Sequence, residues 1–299
     1  MEQRLPAGLP VVGRRPIRLG KRLAPYLLTL PGGVWLLVFF VAPFFTVVSL
    51  SLQTGQLPVF HQTWNFGIYP EAVRTYGNIF GRSFEYAGIA TIATLVVAYP
   101  MAYCIAFYGG KHKNTWLFLL VLPFLVSYVI RTLLWQFILS DDGLVLSHLK
   151  SWHILPQGFH ILATGAAVIS GIAYNFLPFT ALPLYVSLEK IDRSVIEAAR
   201  DLYSSNVRVF LHVILPLSIP GIFAAFLLTF VPGVGDYVEA SILGGTHNTM
   251  IGNIIQLQFL DNFNYPLASA LSVILMGVLI IGIVAYGRVL GARSIEEYV

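Results

Sequence analysis

Charged residues are scarce in this chain of 299 residues. Asp, Glu, Lys and Arg together make up 11% of the sequence and apolar residues 57%, whereas charged residues account for about 25% of a typical globular domain. So few charges cannot cover the surface of a soluble protein of this length, and that class is excluded. The mean hydropathy of +0.75 indicates an integral membrane protein instead.

Catalytic and redox motifs are also lacking. Cys104 is the single cysteine and lies in a predicted span, so no internal disulfide can form and no cysteine-based metal site is expected. The phosphate-binding pattern G-x-x-x-x-G-K-[ST] is absent, because Gly110 and Lys111 are followed by His112. The nucleophile motifs of hydrolases are absent as well. We therefore expect no catalytic residue, no bound metal or other cofactor, and no ATP hydrolysis by this chain itself.

Long apolar runs recur along the chain, and several reach the roughly 20 residues that a helix needs to cross a bilayer. They do not alternate between apolar and polar residues, which argues against a transmembrane β-barrel. The predicted fold class is therefore all-α, a polytopic membrane protein with six transmembrane helices. The predicted spans are Tyr26–Leu50, Phe84–Tyr108, Trp116–Leu139, Ile161–Leu188, Val213–Val234 and Tyr265–Tyr286.

Lysine and arginine are distributed unevenly between the two sides of this predicted topology. Fourteen of the 18 lie in the N-terminal tail, the loops between spans two and three and between spans four and five, and the C-terminus. Since loops rich in these residues stay in the cytoplasm, both termini are predicted to be cytoplasmic. The same asymmetry explains the net charge of +4, so we expect no nucleic-acid partner.

The longest polar interruption between two spans covers residues 187–221. Ser194 and Glu197 within it fit the S-x-x-E capping box of a helix start. One face of the predicted helix carries Val195, Ala198, Ala199 and Leu202. After a turn predicted at residues 204–206, a second apolar face carries Val207, Phe210, Leu211 and Ile214. Two short helices separated by a turn, on the cytoplasmic side, indicate a docking element for a water-side partner.

The spacing within this segment resembles the EAA signature of the permease subunits of bacterial ATP-binding-cassette (ABC) importers. That pattern reads E-A-A, three residues, Gly, nine residues and I-x-L-P, and here it is matched by Glu197-Ala198-Ala199 and Val213-Ile214-Leu215-Pro216. The chain departs from it at Tyr203, where the family has glycine. The resemblance implies a coupling helix that docks on an ATPase subunit through Ser194, Glu197, Ala198, Ala199, Asp201, Leu202, Tyr203 and Ser205.

Further matches resemble the spermidine/putrescine-type permeases within this superfamily. They include Phe230-Val231-Pro232-Gly233-Val234-Gly235, Met250-Ile251-Gly252-Asn253 and Glu189-Lys190-Ile191-Asp192. The resemblance implies a type I ABC importer permease fold in the inner, cytoplasmic membrane and the import of polyamines. The partners that it implies are two ATP-binding subunits that use ATP and Mg²⁺, a second homologous permease in a heterodimer, an external substrate-binding protein, and membrane lipid.

The same resemblance implies how the chain is organised. A cytoplasmic tail would be followed by the first span with an external loop, then by the ABC permease domain with its EAA coupling loop at 189–216, and finally by a second tail. The expected boundaries are 1–24, 25–81, 82–287 and 288–299.

Acidic residues are concentrated in the predicted external segment after span five, which contains Asp236, Glu239 and Asp261 but no Lys or Arg. Together with Tyr237, they suit an ammonium ligand through ion pairing and cation–π contact. We therefore expect Asp236, Tyr237 and Glu239 to line a substrate pathway. The alternative is that these carboxylates are ordinary solvated loop residues.

Three polar residues interrupt the predicted spans. Tyr174 and Asn175 in span four are expected either to line the pathway or to form hydrogen bonds between helices. Arg131 in span three must pair, face water or extend to the interface, because a buried arginine is costly in a bilayer. We expect it to pair with an acidic residue near the external end of its span.

Other functions remain open at this point. An ABC permease for an amino acid, a sugar or a metal chelate would share most of these patterns. An ion-coupled secondary transporter is disfavoured, because no acidic residue lies in the middle of a predicted span. A membrane enzyme is disfavoured by the missing catalytic motifs.

Overall fold

The structure is a computed structural model that describes residues 24–56, 59–203 and 205–296. The side chains of residues 24–27, 56, 203, 286 and 289–296 lie outside that description, as do most of the two predicted terminal tails. The chain divides into two compact units, Met1–Val47 and Val48–Val299.

The described part of the first unit is helical. Helix α1 covers Ala24–Leu36, a π-helical turn covers Leu37–Val41, and α2 covers Ala42–Ser51 and continues into the second unit. The π turn ends two residues before Pro43, whose missing N–H cannot donate an α-helical hydrogen bond to the carbonyl of Phe39 within that turn. The segment Leu28–Ser51 is long and apolar enough to span a membrane.

The second unit contains one β-hairpin and the remaining helices. The strands are β1 (Gln53–Gln56) and β2 (Val59–Gln62). The helices are α3 (Ile68–Tyr108), α4 (Lys113–Val121), α5 (Tyr128–Leu139), α6 (Leu144–Ser151), α7 (Gly165–Glu189), α8 (Arg193–Tyr203), α9 (Asn206–Val209), α10 (Leu215–Leu217), α11 (Ile219–Val234), α12 (Val238–Leu243), α13 (Ile251–Gln256) and α14 (Tyr265–Glu296).

Four described helices are long and apolar enough to span a membrane, and the number reaches the predicted six if each of two bent helix pairs counts as one span. The four unbroken spans are Leu28–Ser51, Ile68–Tyr108, Gly165–Glu189 and Tyr265–Ala285. The two bent spans are Gly110–Leu125 with Tyr128–Ser151, at 91°, and Asn206–Leu217 with Ile219–Val234, at 62°. Their orientation in the bilayer, and with it the cytoplasmic placement of the termini, stays a prediction.

Proline and serine explain why two spans are bent where straight helices were predicted. In span three, Pro123 lies in a 3₁₀ turn that ends at Leu125. Val126 after this turn is extended, and α5 begins only after Ser127. In span five, Pro216 and Pro220 lie on either side of Ser218, so two nearby amides cannot donate helical hydrogen bonds.

Two further differences concern the segment between the first two spans. Span two begins at Ile68, not at Phe84, because the polar turns before the apolar stretch are also helical. The residues before it, predicted as a loop, contain the antiparallel hairpin in which Gln53 pairs with Gln62. Its strands show no apolar alternation, so the usual strand signal is missing. Gly55 within β1 adopts a φ of 122°, a backbone conformation that glycine adopts readily.

Helices α3, α7 and α11 form the centre of the second unit. Small buried residues line α3 where its neighbours approach, and they are Ala87, Ala90, Ala98 and Ala102. Small side chains allow membrane helices to pack closely. Hydroxyl groups add contacts between these helices: Thr180 and Thr229 lie 2.5 Å apart, and Tyr99 and Ser218 lie 2.9 Å apart.

The contact between α7 and α11 requires glycine at position 221. A Cβ atom there would lie 2.8 Å from Ser187 Oγ and 3.1 Å from the Pro183 carbonyl oxygen. We expect Gly221→Ala to lower the apparent Tm of the purified protein, because overpacking costs about 1–3 kcal/mol. Gly282→Ala is the control, since nothing lies within 4 Å of a Cβ atom at that position. Equal Tm values for the two variants would contradict the close contact, whereas recovery in Gly221→Ala/Ser187→Gly would support it.

Candidate functional site

The predicted docking element is formed by α8 and α9. Helix α8 begins at Arg193, and the Asp192 carboxylate accepts a hydrogen bond of 2.9 Å from the Ser194 amide. This hydrogen bond lowers the pKa of Asp192 below its ordinary value. The predicted capping box of Ser194 and Glu197 is therefore wrong. The helix starts one residue before Ser194, so Asp192 takes the capping position.

The apolar residues of α8 divide between two sides of the helix. Ile196 and Ala199 are buried against the ends of α3 and α7. Val195, Ala198 and Leu202 are exposed, and Leu202 retains 80% of its accessible surface. Ala199 therefore does not share one face with Val195, Ala198 and Leu202 as predicted, because the bundle covers its side of the helix. An exposed apolar stripe of this kind is typical of a protein interaction site.

Polar residues border the exposed stripe of α8. Glu197 and Asp201 are exposed and one turn apart, so they lie on the same side of the helix. Ser205 begins α9 by accepting the Val209 amide on its carbonyl oxygen at 3.1 Å. The helix–turn–helix shape is thus confirmed. The side chain of Tyr203, for which a docking role was predicted, lies outside the described part of the structure.

The second predicted apolar face is also divided. Val209 and Ile214 are buried, whereas Val207 and Leu211 are exposed. Phe210 is half-buried and makes edge-to-face contacts with the aromatic rings of α3. The buried members attach the segment to the bundle, and the exposed ones extend the surface that α8 presents.

An ion pair connects two spans close to the docking element. Lys113 at the start of α4 donates to both carboxylate oxygens of Glu189 at the end of α7, at 2.5 and 2.8 Å. Glu189 lies only a few residues before α8. The ion pair therefore holds the start of α4 against the end of α7, just before α8.

A buried acidic cluster forms a second candidate site, away from α8. Glu239 on α12 has no exposed surface, and its Oε1 accepts a 2.8 Å hydrogen bond from Thr132 on α5. The Asn175 side-chain amide on α7 donates to the same oxygen. The interpretation of Glu239 as a solvated loop residue is wrong, because α5 and α7 close over it. For Asp261, which is exposed, the interpretation as a solvated loop residue is confirmed.

Asp236 lies beside Glu239 and begins α12. Its Oδ1 accepts the amides of Val238 and Glu239 at 2.8 and 3.1 Å, and its Oδ2 accepts the Tyr128 hydroxyl. Only 7% of Asp236 is exposed. Burial raises the pKa of both carboxyl groups above their ordinary values, and the charge of Asp236 adds to the rise for Glu239.

Two acceptor atoms of this cluster lack a hydrogen-bond partner within the described structure. They are Oε2 of Glu239 and Oδ1 of Asn175, and both are buried. Buried acceptors are normally satisfied, so these two are exceptions that need an explanation. Among the described residues, no group of three or more His, Cys, Asp or Glu side chains is placed to hold a metal.

The other predicted pathway residues lie at the edge of the cluster. Tyr174 stacks on Trp135 of α5, with parallel rings whose centroids are 4.9 Å apart. Tyr237 is 45% exposed, and its carbonyl oxygen accepts a hydrogen bond from Asn253. Hydrogen bonding between helices, the alternative for Asn175, is confirmed. A role of these residues in a pathway stays a prediction.

Three members of the site were not predicted, and they all lie on α5. Tyr128, Thr132 and Trp135 are spaced four and three residues apart, which places them on one face of that helix. A polar and aromatic stripe at helical spacing within an apolar span is a signal that could have identified them.

Arg131 pairs with no acid in the described part of the chain, contrary to the expectation. It is buried, and its guanidinium carbon lies 4.2 Å from the centre of the Phe124 ring and 5.8 Å from that of Tyr128. Its Nε and Nη1 have no hydrogen-bond partner among the described residues. The bend in span three brings Phe124 over the guanidinium, so a cation–π contact replaces the expected ion pair.

The chain matches a known family over nearly its whole length. Residues 12–293 fit the model of the inner membrane component of binding-protein-dependent transport systems. The chain belongs to this family. It is a transport permease subunit located in the inner membrane, and its apolar helices agree with a membrane location.

Curated relatives of this permease cover most of its sequence. The spermidine/putrescine transport system permease protein PotB of Haemophilus influenzae is 37% identical over 257 residues, which are 82% of this chain and 88% of that protein. PotB of Escherichia coli K12 is 34% identical over 256 residues, 85% of this chain and 93% of that protein. The inner membrane ABC transporter permease protein YdcU of the same strain is 32% identical and covers 71% of each chain.

Solved structures support the fold of the permease. A chain of a bacterial ABC transporter involved in the import of the acidic polysaccharide alginate aligns with a TM-score of 0.67 and 19% identity. The alignment covers 91% of this permease and 96% of that chain. The predicted type I ABC importer permease fold is thereby confirmed.

Glycine at position 171 of α7 leaves the space that Glu239 occupies. A Cβ atom there would lie 3.0 Å from Glu239 Cδ and 2.5 Å from Leu243 Cδ1. We expect Gly171→Ala to displace the carboxylate and lower the apparent Tm. In the double variant Gly171→Ala/Glu239→Asp the Tm should fall less than the two single changes together, because aspartate is shorter than glutamate and leaves room for the added Cβ atom. A double-mutant cycle of thermal midpoints should give a coupling of about 0.5–3 kcal/mol.

Gly88→Ala on α3 provides the control, since nothing lies within 4 Å of a Cβ atom there. Additive effects of Gly171→Ala and Glu239→Asp would contradict the contact between the two residues.

Proposed function

We propose that this permease imports polyamines, such as spermidine or putrescine, into the cytoplasm as the membrane subunit of an ABC importer. The observation that carries the proposal is the buried carboxylate of Glu239, which has one oxygen without a partner beside Asp236. The PotB relatives, named as spermidine/putrescine permeases and 34–37% identical, support the same substrate.

The chemistry of the cluster suits an ammonium group. A substrate ammonium would donate to Glu239 Oε2 and Asn175 Oδ1, which satisfies both unpaired acceptors and neutralises a buried negative charge. The stacked rings of Trp135 and Tyr174 offer an aromatic surface for the next part of a flexible polycation. Asp236 maintains the site by capping α12 and accepting the Tyr128 hydroxyl.

The placement of the cluster suits a transient site. The hydrogen bonds to Glu239 come from α5 and α7, which lie in two different spans. A relative movement of these spans would change the number of donors around the carboxylate and thus its affinity for a cation. Tight substrate capture would then be the task of an external binding protein, and the site within the membrane would bind weakly.

ATP would be hydrolysed by separate subunits that dock on α8. The exposed stripe of Val195, Ala198 and Leu202, bordered by Glu197 and Asp201, forms the proposed docking surface. In this proposal two ATP-binding subunits use ATP and Mg²⁺, a second homologous permease completes the pathway, and this chain binds no cofactor. The ion pair of Lys113 with Glu189 would transmit the movement of the ATPases to the spans.

Neutralising the buried acids should impair polyamine import. We expect Glu239→Gln and Asp236→Asn each to lower ATP-dependent spermidine uptake by about tenfold or more. Each variant loses a hydrogen bond to a charged group, which contributes ~1.5–3 kcal/mol, and 1.4 kcal/mol corresponds to about tenfold. Uptake is measured with the complete importer in membrane vesicles, and putrescine is compared. Asp261→Asn, which changes an exposed acid of the same segment, is the control and should transport normally.

Unchanged spermidine and putrescine uptake in Glu239→Gln would exclude the cluster from the pathway. A loss in Asp261→Asn as large as that in Glu239→Gln would show that only the general charge of the segment matters.

Reversing the charge of Glu197 should uncouple transport from ATP. Glu197 is exposed on α8, so Glu197→Lys should still insert and fold but should lose ATP-dependent uptake and retain less ATPase subunit on purification. Asp142→Lys, an exposed charge reversal at the opposite end of the bundle, is the control. Normal uptake and normal ATPase retention in Glu197→Lys would refute the docking role.

A further inference from the structure

An apolar groove separates α3 from α4 close to the docking element. It has a volume of about 640 Å³. Its walls include Pro100, Met101, Cys104 and Tyr108 of α3 and Trp116 and Leu119 of α4. The side chains of Tyr108 and Trp116 are exposed at its rim. Aromatic residues of this kind mark the level of the lipid headgroups, so the groove lies at one edge of the hydrocarbon layer.

A smaller, charged cavity adjoins the groove beneath α8. Its volume is about 230 Å³, and Tyr108 lines both cavities, so they are neighbours. Arg193 and Arg200 of α8 line the small cavity together with Glu197, which leaves an excess of positive charge. Neither arginine forms an ion pair with an acid in the described part of the chain.

We propose that the two cavities together bind one anionic phospholipid. An acyl chain would occupy the groove, and the phosphate of the headgroup would lie between Arg193 and Arg200. The charge complementarity favours this occupant. A transmembrane helix of a partner could fill the groove, but it would bring no anion to the arginines. Basic pockets at the ends of membrane helices commonly bind acidic headgroups.

Such a lipid would bridge the docking element and span two. Its headgroup would hold α8, while its acyl chain would lie against α3 and α4. It would add to the direct packing of Ile196 and Ala199 of α8 in the core cluster that also contains residues of α3 and α4. The strength of this connection would then depend on the anionic lipid content of the membrane.

The test counts bound lipid on the complete importer. The complex is placed in nanodiscs of phosphatidylcholine with increasing phosphatidylglycerol, and retained lipids are identified by native mass spectrometry. We expect one retained phosphatidylglycerol per copy of this chain. In Arg193→Gln/Arg200→Gln, the phosphatidylglycerol fraction needed for half-occupancy should rise about thirtyfold. Each basic residue near a membrane surface contributes about 1 kcal/mol, and the variant loses two.

Matched variants separate the two parts of the site. Cys104→Trp should expel the lipid by filling the groove while both arginines remain, whereas Val96→Trp adds the same ring at an exposed position of α3 outside the groove. Arg208→Gln removes a charge from the same loop outside the small cavity and should not change retention.

Unchanged retention in the double arginine variant and in Cys104→Trp would overturn the proposal, as would an equal loss in Arg208→Gln. A benzophenone attached to Cys104 should cross-link to a phospholipid, and a cross-link to another polypeptide would instead assign the groove to a protein partner. Lipid retention is counted whether or not the complex transports, so this test is independent of the polyamine assignment.

Discussion

A carboxylate removed from water determines how α12 is held against α5 and α7. Glu239 has no exposed surface, and a buried ion without hydrogen bonds would cost several kcal/mol of stability. Its donors come from Thr132 on α5 and Asn175 on α7, so these two hydrogen bonds hold α12 against both helices. Gly171 is required at that contact because the carboxylate occupies the space of a Cβ atom. The segment between spans five and six is thereby held inside the bundle.

The same helices connect this site with the docking element. Helix α7 carries Asn175 in its middle and Glu189 at its end, immediately before α8. Pro178 and Pro183 lie between those two points, and prolines within a helix permit bending. One helix that contains two prolines therefore joins the acidic cluster to the start of the proposed docking element.

Regular features of the chain could be predicted from sequence, whereas its interruptions could not. The number of spans follows from run length and hydropathy, since the bilayer sets both. The residue at which span two begins could not be predicted in this way, because the first turns of the helix are polar and their helical state depends on packing. The hairpin at Gln53–Gln62 lacks an alternating pattern and was missed. The prolines of spans three and five were visible, but the angles of 91° and 62° depend on the neighbouring helices.

The sequence by itself determined that the chain is an α-helical membrane protein and that its polar segment 187–221 forms two short helices. These properties are local, because hydropathy and capping act within a few turns. Only the tertiary structure decided which side of α8 is exposed, that Arg131 lies under Phe124, and that Glu239 is buried while Asp261 is not. Burial depends on contacts between residues that are distant in sequence, and a loop carboxylate has the same local pattern whether or not α5 and α7 cover it.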